Sequence, residues 1–177
     1  MDQIKRINRE LVYHGHIVDF YKDTILLPDN RTTEFDFIQH KGAAAIVPVD
    51  EDGRVVMVRQ YRNALNRTTL EIPAGGLNPS EDMKTCATRE CEEETGYQAH
   101  DVQHLIDIRT TVAFCNEKIG IYYSNQLTPS KQNLDDGEYV NVEKYKLGEL
   151  IQMIFDGTIE DSKTISALMA YKAKFNL

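Results

Sequence analysis

Residues 11 to 38 alternate apolar and polar side chains in short runs, Leu-Val-Tyr-His-Gly-His-Ile-Val-Asp-Phe-Tyr and then Asp-Thr-Ile-Leu-Leu, broken at Pro28-Asp29-Asn30. A period of two suits half-buried strands, so this stretch predicts a small antiparallel β-module. After Lys41-Gly42 the pattern changes. Residues 43–49 form a continuous apolar run, Asp50-Glu51-Asp52-Gly53 a turn, and residues 55–62 a second run, together predicting a hairpin of two core strands. A third extended piece, 69–72, ends at Pro73-Ala74-Gly75-Gly76, whose glycines permit backbone geometry that other residues resist.

Helical spacing takes over after Asn78-Pro79, with Ser80 as predicted N-cap, Glu81 and Asp82 in the first turn and Gly96 closing the helix. Two or three strands follow over 102–108 and 119–123. A polar segment, 128–138, then holds Asp135-Asp136-Gly137-Glu138. Two helices end the chain, near Leu147–Phe155 and Ser162–Phe175, joined by Asp156-Gly157. No repeat, low-complexity tract or linker is visible.

The first helix carries an electrostatic puzzle. Glu92, Glu93 and Glu94 stand just before Gly96, with Glu90 one turn earlier. The helix dipole places partial negative charge at that end, so each carboxylate costs about 0.3–1 kcal/mol, and Glu90 and Glu94, four apart, also repel. At about 100° per residue, Glu90 and Glu94 fall in the middle of the face carrying Met83, Cys86, Ala87 and Cys91. Glu93 lies at its edge, and Glu92 points away beside Thr85 and Thr88, as a solvated residue. Two unpaired carboxylates on a packing face are costly. A bound divalent metal would offset them, and all-oxygen ligation favours magnesium, manganese or calcium over zinc. The competing reading is a structural cluster paired with Arg89.

Composition narrows the class. The 177 residues are 41% hydrophobic and 27% charged, ordinary for one well-buried domain with a small appendage. A net charge of −8 argues against a nucleic-acid surface. No apolar run is long enough for a membrane span or a signal peptide, so a cytoplasmic address is expected. Cys86, Cys91 and Cys115 lack Cys-x-x-Cys spacing and are expected to be reduced packing residues. The five histidines form no metal motif, and Gly75-Gly76 lacks the Lys-Ser/Thr of a P-loop.

Gly75-x5-Glu81-x7-Arg89-Glu90-Cys91-x-Glu93-Glu94-x-Gly96-Tyr97 resembles the Nudix box, with every fixed position filled at its spacing and Cys91 and Tyr97 at its bulky apolar positions. Glu71-Ile72-Pro73-Ala74-Gly75, Arg59-Gln60-Tyr61-Arg62, Leu134-Asp135-Asp136-Gly137-Glu138-Tyr139-Val140 and Asp161-Ser162-Lys163-Thr164 look like the ADP-ribose pyrophosphatase branch of that family. The resemblance implies an α+β fold, an α/β/α sandwich with a mixed sheet between helices, over residues 41–177. It also implies that residues 1–40 form the β-module through which the branch makes a homodimer. One position departs: Thr111-Val112-Ala113 stands where the branch carries a Ser-Pro-Gly-like segment, with Val112 in place of the marker proline.

The activity implied is magnesium-dependent hydrolysis of a pyrophosphate linkage in a nucleoside diphosphate derivative, with manganese as a possible substitute. ADP-ribose, giving AMP and ribose 5-phosphate, leads. Another nucleotide sugar or a dinucleotide is the near alternative, and a non-catalytic ADP-ribose sensor the distant one. The resemblance implies that Glu90, Glu94, Glu93 and the Ala74 carbonyl hold metal, that Arg89 orients the glutamates, and that Glu138 is the base, with Asp135 and Asp136 as competitors. It further implies that Arg62 and Arg59 meet substrate phosphate or ribose and that Glu117 meets the terminal ribose, whereas Glu71 and Glu81 support the loop and the helix start. A surface salt bridge is the alternative for Arg59.

Overall fold

The computed structural model describes residues 3–177; Met1 and Asp2, the first two residues of the expected N-terminal module, lie outside the described residues. The chain divides into two compact units, one running up to Gly42 and including Arg109–Lys118, the other made of Ala43–Ile108 and Ile119–Leu177.

In the first unit, β1 (Lys5–His14), β2 (Asp19–Leu26) and β3 (Thr32–Gln39) form an antiparallel sheet in the order β1-β2-β3. The first strand begins earlier than the alternation suggests, because its charged start gives no apolar signal. It is held instead by the ladder and by Arg9, which forks onto Asp23 at 2.6 Å with its guanidinium 3.7 Å from the Phe37 ring centroid. Ile38 ties in Arg109–Lys118, donating to the Phe114 carbonyl and accepting from Asn116 N–H.

The second unit contains β4 (Ala43–Pro48), β5 (Arg54–Arg62), β6 (Arg67–Glu71), β7 (Ala74–Gly76), α1 (Met83–Thr95), β8 (Tyr97–His100), β9 (Gln103–Arg109), β10 (Lys118–Ser124), β11 (Gln126–Pro129), β12 (Val140–Lys146), α2 (Leu147–Phe155) and α3 (Ser162–Phe175). The terminal residues Arg109 and Lys118 of two of these strands fall in the first unit. A mixed sheet runs β7-β4-β10-β9, with β4 parallel to β10 and antiparallel to β7; β12-β5-β6 and β11-β8 form two further sheets.

The expected hairpin of residues 43–49 with 55–62 does not form. Beyond one bridge, Val49 to Val55, β4 and β5 belong to different sheets. The reason lies in β4, buried along its whole length and already flanked by β10 and β7, which leaves no edge for β5. Asp50 turns the chain away by accepting from the N–H groups of Asp52 and Arg54 and pairing with Lys144. The strand β12, which lines β5 on its other side, was not among the expected elements, since its polar Asn, Glu and Lys positions mask the alternation.

Alternate residues of β4 serve opposite faces, as a strand's period of two demands. Ala44 and Ile46 pack with Cys86, Ala87 and Cys91 of α1, whereas Ala43, Ala45 and Val47 join the core containing Leu150 of α2 and Ala167 and Leu168 of α3. The result is an α+β architecture in which helices cover both faces of a mixed sheet. Burial pushes the Cys86 and Cys91 thiols up to about 12, so they pack as neutral side chains. Among the described residues no helix is long and apolar enough to cross a membrane.

Candidate active site

The start of α1 differs from expectation in one respect. The N-cap is Asp82, whose carboxylate accepts from Lys84 N–H at 2.9 Å and Thr85 N–H at 3.0 Å. Ser80 instead takes a left-handed backbone, φ 65°, within the preceding turn. Glu81 reaches back to the Asn78 N–H at 2.9 Å and so fixes the chain's entry into the helix. At the other end Gly96 is left-handed, φ 70°, and its N–H meets the Glu92 carbonyl, as a glycine terminus should. The following loop supplies further donors: Asn133 N–H to the Glu93 carbonyl at 2.9 Å and Gln132 Nε2 to the Glu94 carbonyl at 2.7 Å. The carbonyls at the acidic end are therefore satisfied by the segment leading to Glu138.

Glu94 is buried, 3% exposed, while Glu90 and Glu93 are half-buried. Arg89 spans the cluster: Nη1 donates to Glu90 Oε1 at 2.7 Å and Glu93 Oε2 at 2.6 Å, and Nε and Nη2 fork onto Glu81 at 2.9 and 3.0 Å. Glu92 is not the freely solvated residue expected. It is half-buried and accepts the Ser130 hydroxyl at 2.5 Å, which helps seat the loop.

Strand β7 lies directly against this helix. A Cβ built on Gly75 would stand 1.9 Å from Glu90 Oε1, so glycine there is what lets the carboxylate approach the backbone. Ala74 donates its N–H to Glu94 Oε2 at 2.9 Å, which ties the strand backbone to the helix carboxylate. Gln60 Nε2 of β5 stands 3.4 Å from Glu94 Oε1, a second amide donor on that carboxylate that the sequence does not single out.

Burial is the largest influence on Glu94 and, against the Ala74 N–H bond, pushes its carboxyl up to about 8, with Glu90 and Glu138 adding repulsion and Arg62 opposing it. Burial also raises Glu90, Arg89 opposes, and Glu93 and Glu138 add to the rise. Glu138 is thus near enough for its charge to be felt at both positions, although it is exposed and its own carboxylate accepts from Asp135 N–H at 3.2 Å. Among the described residues no three His, Cys, Asp or Glu side chains enclose a point where an ion could sit, since the guanidinium of Arg89 lies between Glu90 and Glu93. The donor set nevertheless fits a hard divalent cation. Its oxygens are desolvated, and Glu94 has only amide donors to hold its charge.

The arginines both have carboxylate partners. Arg59 forks onto Glu143 at 2.6 and 3.1 Å, and Arg62 onto Glu71 at 2.8 and 2.6 Å, while remaining partly exposed. Glu71 and Glu81 act as supports of the loop and the helix start. Glu117 lies in the first unit, where it accepts the Thr110 hydroxyl at 2.6 Å; Val112 of the same unit is 81% exposed. Asp135 and Asp136 share the exposed turn with Glu138.

A carboxylate-bearing helix capped by glycine, braced by an internal arginine and backed by a glycine-containing strand, on a helix–sheet–helix frame, defines a Nudix hydrolase. Residues 39–168 match the NUDIX domain, and the chain belongs to that family. Its relatives include the methanol dehydrogenase activator of Bacillus methanolicus, 36% identical over 93% of this chain and 90% of that protein. The ADP-ribose pyrophosphatase of Bacillus subtilis (strain 168) is 31% identical over 96% and 93%. A crystal structure of an ADP compounds hydrolase superposes with a TM-score of 0.87 at 19% identity, covering 98% of this chain and 95% of that one, and shares its fold. The chain is accordingly an enzyme that hydrolyses the pyrophosphate linkage of nucleoside diphosphate derivatives.

Proposed function

We propose that this enzyme is a magnesium-dependent ADP-ribose diphosphatase of the cytoplasm, releasing AMP and ribose 5-phosphate. The observation that carries the reading is the buried Glu94 beside Glu90, against the Ala74-Gly75 backbone and within the field of Glu138 and Arg62. The relatedness to an ADP-ribose pyrophosphatase over almost the full chain supports the substrate. Val112 keeps another nucleotide sugar or a dinucleotide as the alternative.

Glu90, Glu94, Glu93 and the Ala74 carbonyl would hold the metal. When bound, magnesium supplies positive charge to the pyrophosphate oxygens and to the attacking water. The rest falls to the chain itself. Arg89 restrains Glu90 and Glu93, so that the carboxylates keep their places while their charge is partly offset. Arg62 presents guanidinium to an anionic phosphate, and Arg59 serves the remainder of the substrate. Glu138, an exposed carboxylate on the turn before β12, takes the proton of water.

The test is turnover of ADP-ribose with magnesium, with products resolved by chromatography. Equimolar AMP and ribose 5-phosphate are expected, and Glu138→Gln should lower kcat about 10²–10⁴-fold. Preferential hydrolysis of nucleoside triphosphates would exclude the substrate assignment, and an unimpaired Glu138→Gln would move the base to Asp135 or Asp136.

Residues 1–40 we assign as the dimerisation element. Support comes from the exposed Ile7, Leu11, Val12 and Tyr13 of β1, an apolar display unusual for a strand facing water alone. Light scattering should give twice the chain mass, and a concentration-independent monomer would refute the assignment.

A further inference from the structure

Asp161-Ser162-Lys163-Thr164, at the start of α3, has so far no part in the reaction. Lys163 and Thr164 are nonetheless among the buried polar groups of the second unit. Lys163 is buried, its Nζ donating to Glu71 Oε2 and, at 3.0 Å, to Asp161 Oδ2. Glu71, 2% exposed, accepts Arg62 Nε at 2.8 Å, Arg62 Nη2 at 2.6 Å and the Thr69 hydroxyl at 2.6 Å. Thr164 is fully buried; its hydroxyl donates to Asp161 Oδ2 at 2.6 Å and accepts the Ile72 N–H at 3.1 Å. Ile72 lies two residues before Ala74, whose N–H holds Glu94.

Two of Arg62's three guanidinium nitrogens are therefore committed to one carboxylate. Asp161 is near enough for its charge to be felt at Arg62, so without a further cation the group would sum to one negative charge, a poor receptor for a pyrophosphate. Lys163 changes the sum: it meets both Glu71 and Asp161, so two cations balance two carboxylates and no negative charge is left over, while Arg62 stays fixed by two bonds. Asp161, the other partner of Lys163, sits at the N-terminus of α3, where the helix dipole already favours an anion.

We propose that Lys163 is a positioning residue for the hydrolysis: by sharing Glu71 and Asp161 it cancels the negative charge behind Arg62 and leaves that guanidinium oriented toward the substrate phosphates, while Thr164 fixes the Ile72–Ala74 backbone beneath Glu94. The proposal rests on the reading above that Arg62 meets those phosphates.

The experiment compares wild type, Lys163→Met, and the double variant Asp161→Asn/Lys163→Met, which removes one charge of each sign and keeps the Arg62–Glu71 fork in place. KM and kcat for ADP-ribose are measured with magnesium. Binding of inorganic pyrophosphate is measured by calorimetry without turnover, and melting temperatures are recorded alongside. Lys163→Met should raise KM and the pyrophosphate Kd about tenfold with a smaller change in kcat, and the double variant should return both to within about threefold of wild type. A merely structural lysine would give losses that follow melting temperature and no recovery in the double variant. That result, or unchanged binding in Lys163→Met, overturns the proposal. Should Lys163→Met fail to fold, the double variant decides alone, since weakened pyrophosphate binding in it would contradict the charge argument. Absence of wild-type turnover on ADP-ribose would instead count against the substrate assignment, with the pyrophosphate measurements still deciding the role of Lys163.

Discussion

Glu94→Gln should lower turnover about 10²–10³-fold at saturating magnesium and leave the fold intact, with a melting temperature at pH 8 equal to or above that of wild type. The carboxylate is 3% exposed, and its pKa of about 8 reflects burial outweighing the Ala74 N–H bond. Glutamine has the same shape, keeps an oxygen for Ala74, and removes the charge that burial penalises. Its one loss is the contact to Gln60, already long at 3.4 Å. Catalysis and stability should therefore move in opposite directions. Steady-state kinetics and thermal melts on the same preparation check this. Unchanged kcat would remove Glu94 from the reaction, and a collapsed melting temperature would make its carboxylate a structural group.

The same residue sets a pH dependence of the metal-free protein. The ordinary value for a glutamate, 4.5, becomes about 8 in the fold. Between those values the folded chain keeps a proton that the unfolded chain has released, so each rise in pH favours unfolding. The contribution is fully present below about 4.5 and is lost as pH climbs through about 8. Glu90 shifts in the same direction. Glu71 shifts the other way: although burial alone would raise it, Arg62, Lys163 and Thr69 hold it at about 2, so its contribution is lost only as acidification proceeds from about 4.5 toward 2. Stability in a chelator should thus fall by on the order of a few kcal/mol from pH 5 to 8. Magnesium, which binds ionised carboxylates, should raise the melting temperature far more at pH 8.5 than at pH 6. Differential scanning calorimetry at several pH values measures both. Equal stabilisation at the two pH values would show that no raised carboxyl is linked to metal binding.

What could be read from the chain in advance follows the range of each interaction. The helix of the acidic cluster, its end at Gly96 and the inward turn of Glu90 and Glu94 depend on spacing within a few residues. So do the two last helices, whose bounds agree with the structure. Sheet partners depend on distant segments. Nothing local to residues 43–49 says that β10 will lie alongside, and so the turn at Asp50 resembled that of a hairpin. The N-cap was misplaced for a subtler reason, because Ser80 and Asp82 are both good caps and the choice was made by a left-handed turn at Ser80. In the site, the arginines were visible but not their partners: Glu71 reaches Arg62 through the β5–β6 pairing, and Lys163 arrives from the far end of the chain.

The alternation along β4 bears on how such a site can drift. Ala44 and Ile46 lie beneath α1 while Ala43 and Ala45 face the opposite core, so at Ala44 the floor on which the acidic helix rests is one methyl deep. Enlarging Ala44 would lift α1 bodily, carrying the glutamates away from the Ala74-Gly75 backbone while every ligand remained in the sequence. A relative could therefore preserve the whole glutamate signature yet be an impaired enzyme, and the residue to inspect in it is the one at this strand position.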